Sequence, residues 1–216
     1  MDLVFFYLLL VFLPTQLGLH FWPAWSMVLG RRVDYLSPTL YLTDIIICLI
    51  VICWIFQNRK KLSIINYQLS IKIRNFQFAI VFLLFVFLNI FFATNRFVSL
   101  YFWLKVLEYA LLGFYIYKTK PPFSKIIYYA SFGVLYSSLI AIGQFFFQRS
   151  LGGPFWFLGE RAFSAMTPGI AVYNFCWPLR DQCQLVLRAY ATLPHPNVLG
   201  GFLAILLTAI FNFQSN

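Results

Sequence analysis

The sequence predicts an all-α protein, a polytopic bundle of about six transmembrane helices with one long outer loop. Hydrophobic residues make up 62% of the 216 positions, whereas charged residues make up only 10%. A soluble domain of this length would leave too much apolar surface in water. The apolar residues also form long runs separated by short basic turns, which is typical of multi-pass membrane proteins. We therefore expect a single membrane domain over residues 1–216.

Six apolar stretches are the predicted spans. Residues 3–13 are short for a span and no small-residue cleavage site follows them, so they are interpreted as a signal anchor that stays in the membrane. Residues 16–38 contain Trp, His, Arg and Asp and are expected to form an interfacial or re-entrant loop. The other five spans are expected at residues 40–57, with Asp44 near one end, and at residues 76–94, 97–117, 126–148 and 198–213.

Two basic loops set the predicted topology. Residues 58–75 and 118–125 contain Lys and Arg and no acid, which is typical of cytoplasmic loops. The N-terminus is then cytoplasmic, in the inner or plasma membrane, and residues 149–197 form the long outer loop. Topology and contact with lipid phosphates account for the net charge of +10, so no nucleic-acid partner is expected.

The basic residues predicted outside are all arginines, whereas every lysine except Lys105 lies in the two inner loops. A guanidinium binds phosphate oxygens through two parallel hydrogen bonds, so an outer face rich in arginine suits pyrophosphate recognition. Contact with lipid head groups is the simpler explanation for Arg31, Arg32 and Arg149. The other outer arginines are Arg96, Arg161, Arg180 and Arg188.

Lys105 and Glu108 are charged residues inside the fourth predicted span. Their spacing places them on one helix face, where they can form an ion pair. Intramembrane charge indicates function by default, and a structural ion pair that fixes helix packing is the equal alternative.

The four cysteines fall into two pairs. Cys48 and Cys53 lie in the second span and are interpreted as small core residues. Cys176 and Cys183 lie in the outer loop, where an oxidising compartment allows a disulfide, and two free thiols are the alternative. The sequence has only two histidines, far apart, and no Cys/His cluster, so no metal site is expected.

Residues 188–201, with the sequence RAYATLPHPNVLGG, place polar chemistry directly before the last apolar stretch. His195 lies between two prolines, which hold it on a stiff approach to the helix. Asn197 is expected to be the N-cap of the helix over residues 198–213. A helix N-terminus with free amides and a nearby arginine, Arg188, suits an anion, and a surface turn capped by Asn197 is the simpler alternative.

This segment resembles the central motif of the O-antigen ligase/polymerase family of multi-pass membrane glycosyltransferases. The family's motif is an arginine, a small or aromatic pair, then Thr, Phe or Leu, any residue, His or Asn, Pro and Asn ahead of a glycine-rich helix. The resemblance extends more weakly through residues 158–171 and 13–23. It implies a longer protein, so this chain is expected to be its N-terminal half. The matching residues are Arg188, Tyr190, Thr192, Leu193, His195, Pro196, Asn197, Gly200 and Gly201.

The resemblance implies transfer of a glycan from undecaprenyl diphosphate to an acceptor hydroxyl, in lipopolysaccharide or another cell-surface polysaccharide, without a metal or soluble cofactor. Arg188 would hold diphosphate oxygens, aided by the first amides of the helix. Arg161 is a second candidate, although the adjacent Glu160 could simply neutralise it. Tyr190 and Thr192 could donate hydrogen bonds to phosphate or sugar, or merely line the segment.

The catalytic residues stay open. His195 is a weak candidate for the base, and a positioning role is the simpler interpretation, because the family's base is a histidine of a later outer loop. Two other functions are alternatives. One is a transporter or anion carrier of the same broad superfamily, with Lys105 and Glu108 lining a path. The other is a non-catalytic remnant, because that later loop has no counterpart in these 216 residues.

Overall fold

The protein is largely helical, as the hydrophobic pattern predicts. The computed structural model describes residues 1–69, 73–176 and 183–214, and side chains within these ranges except those of residue 35, residues 60–79 and residue 214. Six α-helices occur in the described ranges, near the six predicted apolar stretches. They are α1 (Asp2–Val11), α2 (Leu42–Leu69), α3 (Ile73–Phe92), α4 (Arg96–Thr119), α5 (Phe123–Phe147) and α6 (Pro196–Gln214).

Four of these helices are long and apolar enough to cross a membrane, as judged over the described residues. They are the Leu42–Arg59 part of α2, all of α4, all of α5 and the Pro196–Phe213 part of α6. Helix α1 and the Ile80–Phe92 part of α3 are apolar but shorter. A helical protein with membrane-spanning capacity is thereby confirmed, whereas the count of six spans stays a prediction.

The basic segment at residues 58–75 differs from the expected loop. Helix α2 continues through this segment to Leu69, and α3 begins at Ile73. The physical reason lies in its composition, because residues 58–69 contain no Gly or Pro and include several good helix formers. Lys72 of this segment lies outside the described residues.

Short strands make the expectation of a purely α-helical fold incomplete. The described residues include three two-stranded sheets. In one of them the turn at Leu29–Gly30, where both residues have positive φ, joins two strands in a tight hairpin. The sheets pair β1 (Gly18–His20) with β4 (Thr39–Tyr41), β2 (Met27–Val28) with β3 (Arg31–Arg32), and β5 (Val172–Cys176) with β6 (Cys183–Leu187).

The chain forms two compact units, and the expected single domain over residues 1–216 stays a prediction. The first unit comprises Met1–Phe5, Leu19–Leu40 and Asp44–Lys120, and the second comprises Phe6–Gly18, Tyr41–Thr43 and Pro121–Asn216. Residues 188–201 therefore belong to the second unit.

The first unit buries charged groups as well as apolar ones. Fully buried Tyr115 packs against the edge of Trp54 and donates a hydrogen bond to Asp2 Oδ2 at 3.4 Å. The expected ion pair is present, with Lys105 Nζ 3.2 Å from Glu108 Oε2. The Lys105 ammonium also forms an ion pair with Asp44 of α2, which the sequence did not indicate.

The second unit has its core where α5, α6 and the segment that joins them meet. Ile140 of α5 and Leu199 of α6 pack with Ala191 and Leu193 in one buried cluster. A second cluster joins Phe163 and Leu187 to Tyr190 of the same turn. Residues 190–193, expected to be part of a polar loop, are thus largely buried and positioned by the core.

Candidate functional site

A cleft of about 310 Å³ opens in the second unit beside the start of α6. Three of the predicted site residues line it, namely Arg161, Tyr190 and His195. The remaining wall comes mainly from residues 167–170 and from Phe163 and Pro194. The cleft therefore brings together residues 161–170 and residues 190–195, which are far apart in sequence.

Gln144 of α5 fixes the turn that carries this cleft. Its side chain is fully buried, and its Oε1 accepts hydrogen bonds from the backbone N–H groups of Tyr190 and Ala191 at 2.9 and 2.8 Å. Its Nε2 donates to the backbone oxygen of Ala191 at 2.9 Å and to Glu160 Oε1 at 2.7 Å. All four hydrogen-bonding positions of this amide are used.

Glu160 completes the buried network without an ion pair in the described residues. Its Oε1 accepts a hydrogen bond from the N–H of Leu151 as well as from Gln144, and its Oε2 accepts one from the N–H of Gly152 at 2.8 Å. Backbone amides and a side-chain amide can stabilise a buried carboxylate in this way. Glu160 is therefore occupied by the loop itself and does not neutralise Arg161.

The turn following Tyr190 is held in a backbone conformation that L-residues avoid. Ala191 has φ 51°, and the N–H of Leu193 donates to the oxygen of Tyr190 at 3.0 Å. Such strain persists only where the surroundings over-determine it, as Gln144 does here. The strained turn directs the chain from Tyr190 into the start of α6.

His195, and not Asn197, caps α6. The helix begins at Pro196, and His195 Nδ1 accepts the N–H of Asn197 at 3.2 Å. The backbone oxygen of His195 accepts the N–H groups of Val198 and Leu199. The predicted N-cap was wrong because proline is well suited to the first helical position, where its missing N–H costs nothing. The first amides of the helix consequently have partners and are not free for an anion.

Two guanidinium groups reach the start of α6. Arg161 is exposed, donates from Nη2 to the backbone oxygen of Pro194 at 2.6 Å, and lies 5.8 Å from the ring centre of Tyr190. Arg188 is half-buried and donates from Nη2 to Asn197 Oδ1 at 2.8 Å. Each of these contacts uses one of five N–H groups, so both side chains retain donors for a ligand.

Arg188 owes its position to a disulfide-bonded hairpin. Strands β5 and β6 are antiparallel, with register from Val172 opposite Leu187 to Cys176 opposite Cys183. The two cysteines form a disulfide, which decides between the two alternatives left open by the sequence. Arg188 directly follows β6, and its N–H donates to the backbone oxygen of Ala171 at 3.0 Å.

The remaining predicted site residues differ in whether they line the cleft. Thr192 is 2% exposed and donates to the backbone oxygen of Pro14 at 2.6 Å, so it anchors the turn and does not line the cleft. Tyr190 lines the cleft with its ring, and its hydroxyl accepts the N–H of Ala171 at 2.8 Å while keeping its own proton to donate. Arg180 lies outside the described residues.

The cleft is an electropositive surface. In the described part of the second unit the only acid is Glu160, which is 3% exposed and surrounded by donors, whereas Arg161 is exposed to solvent. The described residues contain no group of His, Cys, Asp and Glu that could hold a metal ion. The arrangement can therefore bind an anion through side-chain cations and hydroxyl donors.

Sequence reasoning missed Gln144, the residue that organises the turn. A polar amide within an apolar helix was the available signal, because such a group must find partners when it is buried.

In comparisons with known proteins, no family model, no curated protein and no solved structure matches the chain.

Proposed function

We propose that this chain binds the donor in an O-antigen ligase-like membrane glycosyltransferase, which transfers a glycan from undecaprenyl diphosphate to an acceptor hydroxyl of a cell-surface polysaccharide. The observation that carries this proposal is the cleft at the start of α6, which Arg161, Tyr190 and His195 line, together with Arg188, whose guanidinium donates to Asn197 in the first turn of that helix. The sequence resemblance supplies the reaction class, and the geometry supports the binding of a lipid-linked anion.

The position of the cleft suits a lipid carrier. A polyprenyl diphosphate has its charge at one end and a long apolar chain at the other. Beyond the cleft, α6 presents exposed apolar side chains, including Ile205 and Phe211. A diphosphate held at Pro194–Asn197 would leave the prenyl chain free to lie along this apolar helix.

The chemistry requires that the departing diphosphate be stabilised. The acceptor hydroxyl oxygen forms a bond to the anomeric carbon, the bond from that carbon to the diphosphate oxygen breaks, and a base takes the hydroxyl proton. Guanidinium groups on the diphosphate stabilise the charge that develops as this bond breaks. Arg161 is the stronger candidate for this role because it lines the cleft, and Arg188 is the second.

His195 is assigned a positioning role in this scheme. Its Nδ1 accepts the N–H of Asn197, which orients the ring at the helix start. The base is expected in a later outer loop, as the resemblance implies. The disulfide between Cys176 and Cys183 favours placing the cleft on the outer face of the membrane, because disulfides persist in oxidising compartments.

The anion-carrier alternative gains no support from the charges in the first unit. The pair of Lys105 and Glu108 was expected to line its path, and Lys105 is paired with Asp44 as well, so the group has two carboxylates for one ammonium. Such a group repels an anion.

Donor binding by the purified full chain in lipid nanodiscs tests the proposal. Arg161→Ala should weaken binding of undecaprenyl diphosphate by about tenfold or more, since a hydrogen bond to a charged group is lost. Arg188→Ala should weaken it by a smaller factor. Arg31→Ala, an exposed arginine of β3 in the other unit, is the matched control and should leave binding unchanged. Equal affinity of wild type and Arg161→Ala would refute the proposal.

A further inference from the structure

Two adjoining cavities in the first unit lie outside the site described above. One, of about 240 Å³, is lined by β4 and the beginning of α2 on one side and by α4 on the other. The second, of about 310 Å³, is lined by residues of α2 and α4. The walls of the two cavities share Cys48, Leu104 and Glu108, so they form neighbouring parts of one groove between these helices.

The first cavity has a net acidic wall. Asp44, Lys105 and Glu108, together called the charge cluster, all line it. Lys105 forms ion pairs with both carboxylates, which leaves a formal charge of −1. Burial makes this imbalance costly, because the side chains of Asp44 and Glu108 are only 4% and 15% exposed.

One acceptor of the charge cluster has no donor. Glu108 Oε1 is buried and receives no hydrogen bond within the part of the chain that the structure describes. A buried carboxylate oxygen in this state is destabilising, and a cationic N–H donor would satisfy both its hydrogen bonding and its charge.

The second cavity is apolar. Apart from Cys48 and Glu108 its walls are aliphatic, among them Val51 and Leu111. Asp44 lies in the first turn of α2, and Val51 lies about 10 Å farther along the helix axis at the usual rise per residue. The groove is therefore acidic beside the first turn of α2 and apolar farther along that helix, which is complementary to a membrane lipid.

We propose that this groove binds one membrane phospholipid whose head group carries a primary ammonium. The ammonium donates to Glu108 Oε1 and offsets the charge of the cluster, while an acyl chain lies in the aliphatic cavity beside Val51 and Leu111. A lipid with an anionic head group is disfavoured by the net negative charge. A choline head group is disfavoured because its quaternary ammonium has no N–H to donate.

Native mass spectrometry of the purified full chain tests this with dioleoyl lipids that differ only in head group. Wild type should retain phosphatidylethanolamine about tenfold more than phosphatidylcholine or phosphatidylglycerol, because one charge-assisted hydrogen bond distinguishes them. Equal retention of the three lipids by wild type would overturn the proposal, and this comparison needs no variant.

Two variants locate the binding. Glu108→Gln should abolish the preference for phosphatidylethanolamine, whereas Asp34→Asn, which removes an exposed acid from the same unit, should preserve it. Leu111→Trp should fill the aliphatic cavity and reduce retention of phosphatidylethanolamine without altering any charge. Retained preference in Glu108→Gln, or unchanged retention in Leu111→Trp, would contradict the assignment of this groove.

Discussion

The cleft in the second unit keeps the guanidinium group of Arg161 exposed, whereas the charge cluster in the first unit holds its cation, Lys105, between two carboxylates. In the turn, Gln144 and backbone amides satisfy the buried Glu160. Arg161 is therefore not needed as a counterion and remains available at the cleft. A neutral amide that satisfies a buried carboxylate leaves a nearby guanidinium group available for a ligand, whereas a carboxylate that is paired with an ammonium group keeps that ammonium in a structural role.

The largest expected effect comes from removing the shared cation of the charge cluster. Lys105→Met would leave Asp44 and Glu108 close together with no cation between them, and should destabilise the protein by about 3–5 kcal/mol. Thermal unfolding in detergent micelles at neutral pH measures this loss. Lowering the pH should restore part of the stability, because protonation removes the repulsion between the carboxylates.

A triple variant tests whether the loss of stability in Lys105→Met comes from the unpaired carboxylates. Asp44→Asn, Lys105→Met and Glu108→Gln together remove every charge of the cluster, so this protein should be more stable than Lys105→Met alone. If the single and triple variants unfolded at the same temperature, the cluster would not be held by its charges.

The next largest effect should come from the amide that organises the turn. Gln144→Leu leaves the N–H groups of Tyr190 and Ala191 buried without acceptors, which should cost about 3 kcal/mol in stability. It should also expose the segment between α5 and α6 to proteolysis, as followed by limited digestion. Gln184→Leu, at an exposed position of β6, is the control and should behave like wild type. Unchanged digestion of Gln144→Leu would show that the turn is held by other contacts.

The smallest effect should come from the anchor of the turn to Pro14. Thr192→Val removes one buried hydrogen bond and should cost about 1 kcal/mol in stability. Because Thr192 does not line the cleft, donor binding should be unchanged in the nanodisc assay. A loss of affinity as large as that of Arg161→Ala would show that Thr192 takes part in binding the donor.

Local patterns in the sequence were sufficient to predict the approximate positions of the helices and one ion pair. The positions of α4 and α5 follow from apolar runs between basic turns, and Lys105 and Glu108 lie three residues apart on one helix. Helix ends were less predictable, because α2 continues through a basic segment that was expected to end it.

Contacts between distant residues were beyond sequence reasoning. Asp44 joins Lys105 from another helix, and Gln144 accepts the N–H of Tyr190, which is 46 residues away in the sequence. No spacing rule connects such pairs, since tertiary packing alone brings them together. The sequence also could not show which of Arg161 and Arg188 lines the cleft. Only the folded structure shows that Arg161 does.

The attachment of Tyr190 and Ala191 to α5 ties the cleft to the orientation of that helix. Spanning helices change their tilt when bilayer thickness changes. Because Gln144 bonds the turn to the end of α5 and Ile140 packs against it, the turn should follow such a tilt as one piece with the helix. Membrane thickness would then alter how far the cleft stands from the lipid surface while preserving its internal shape.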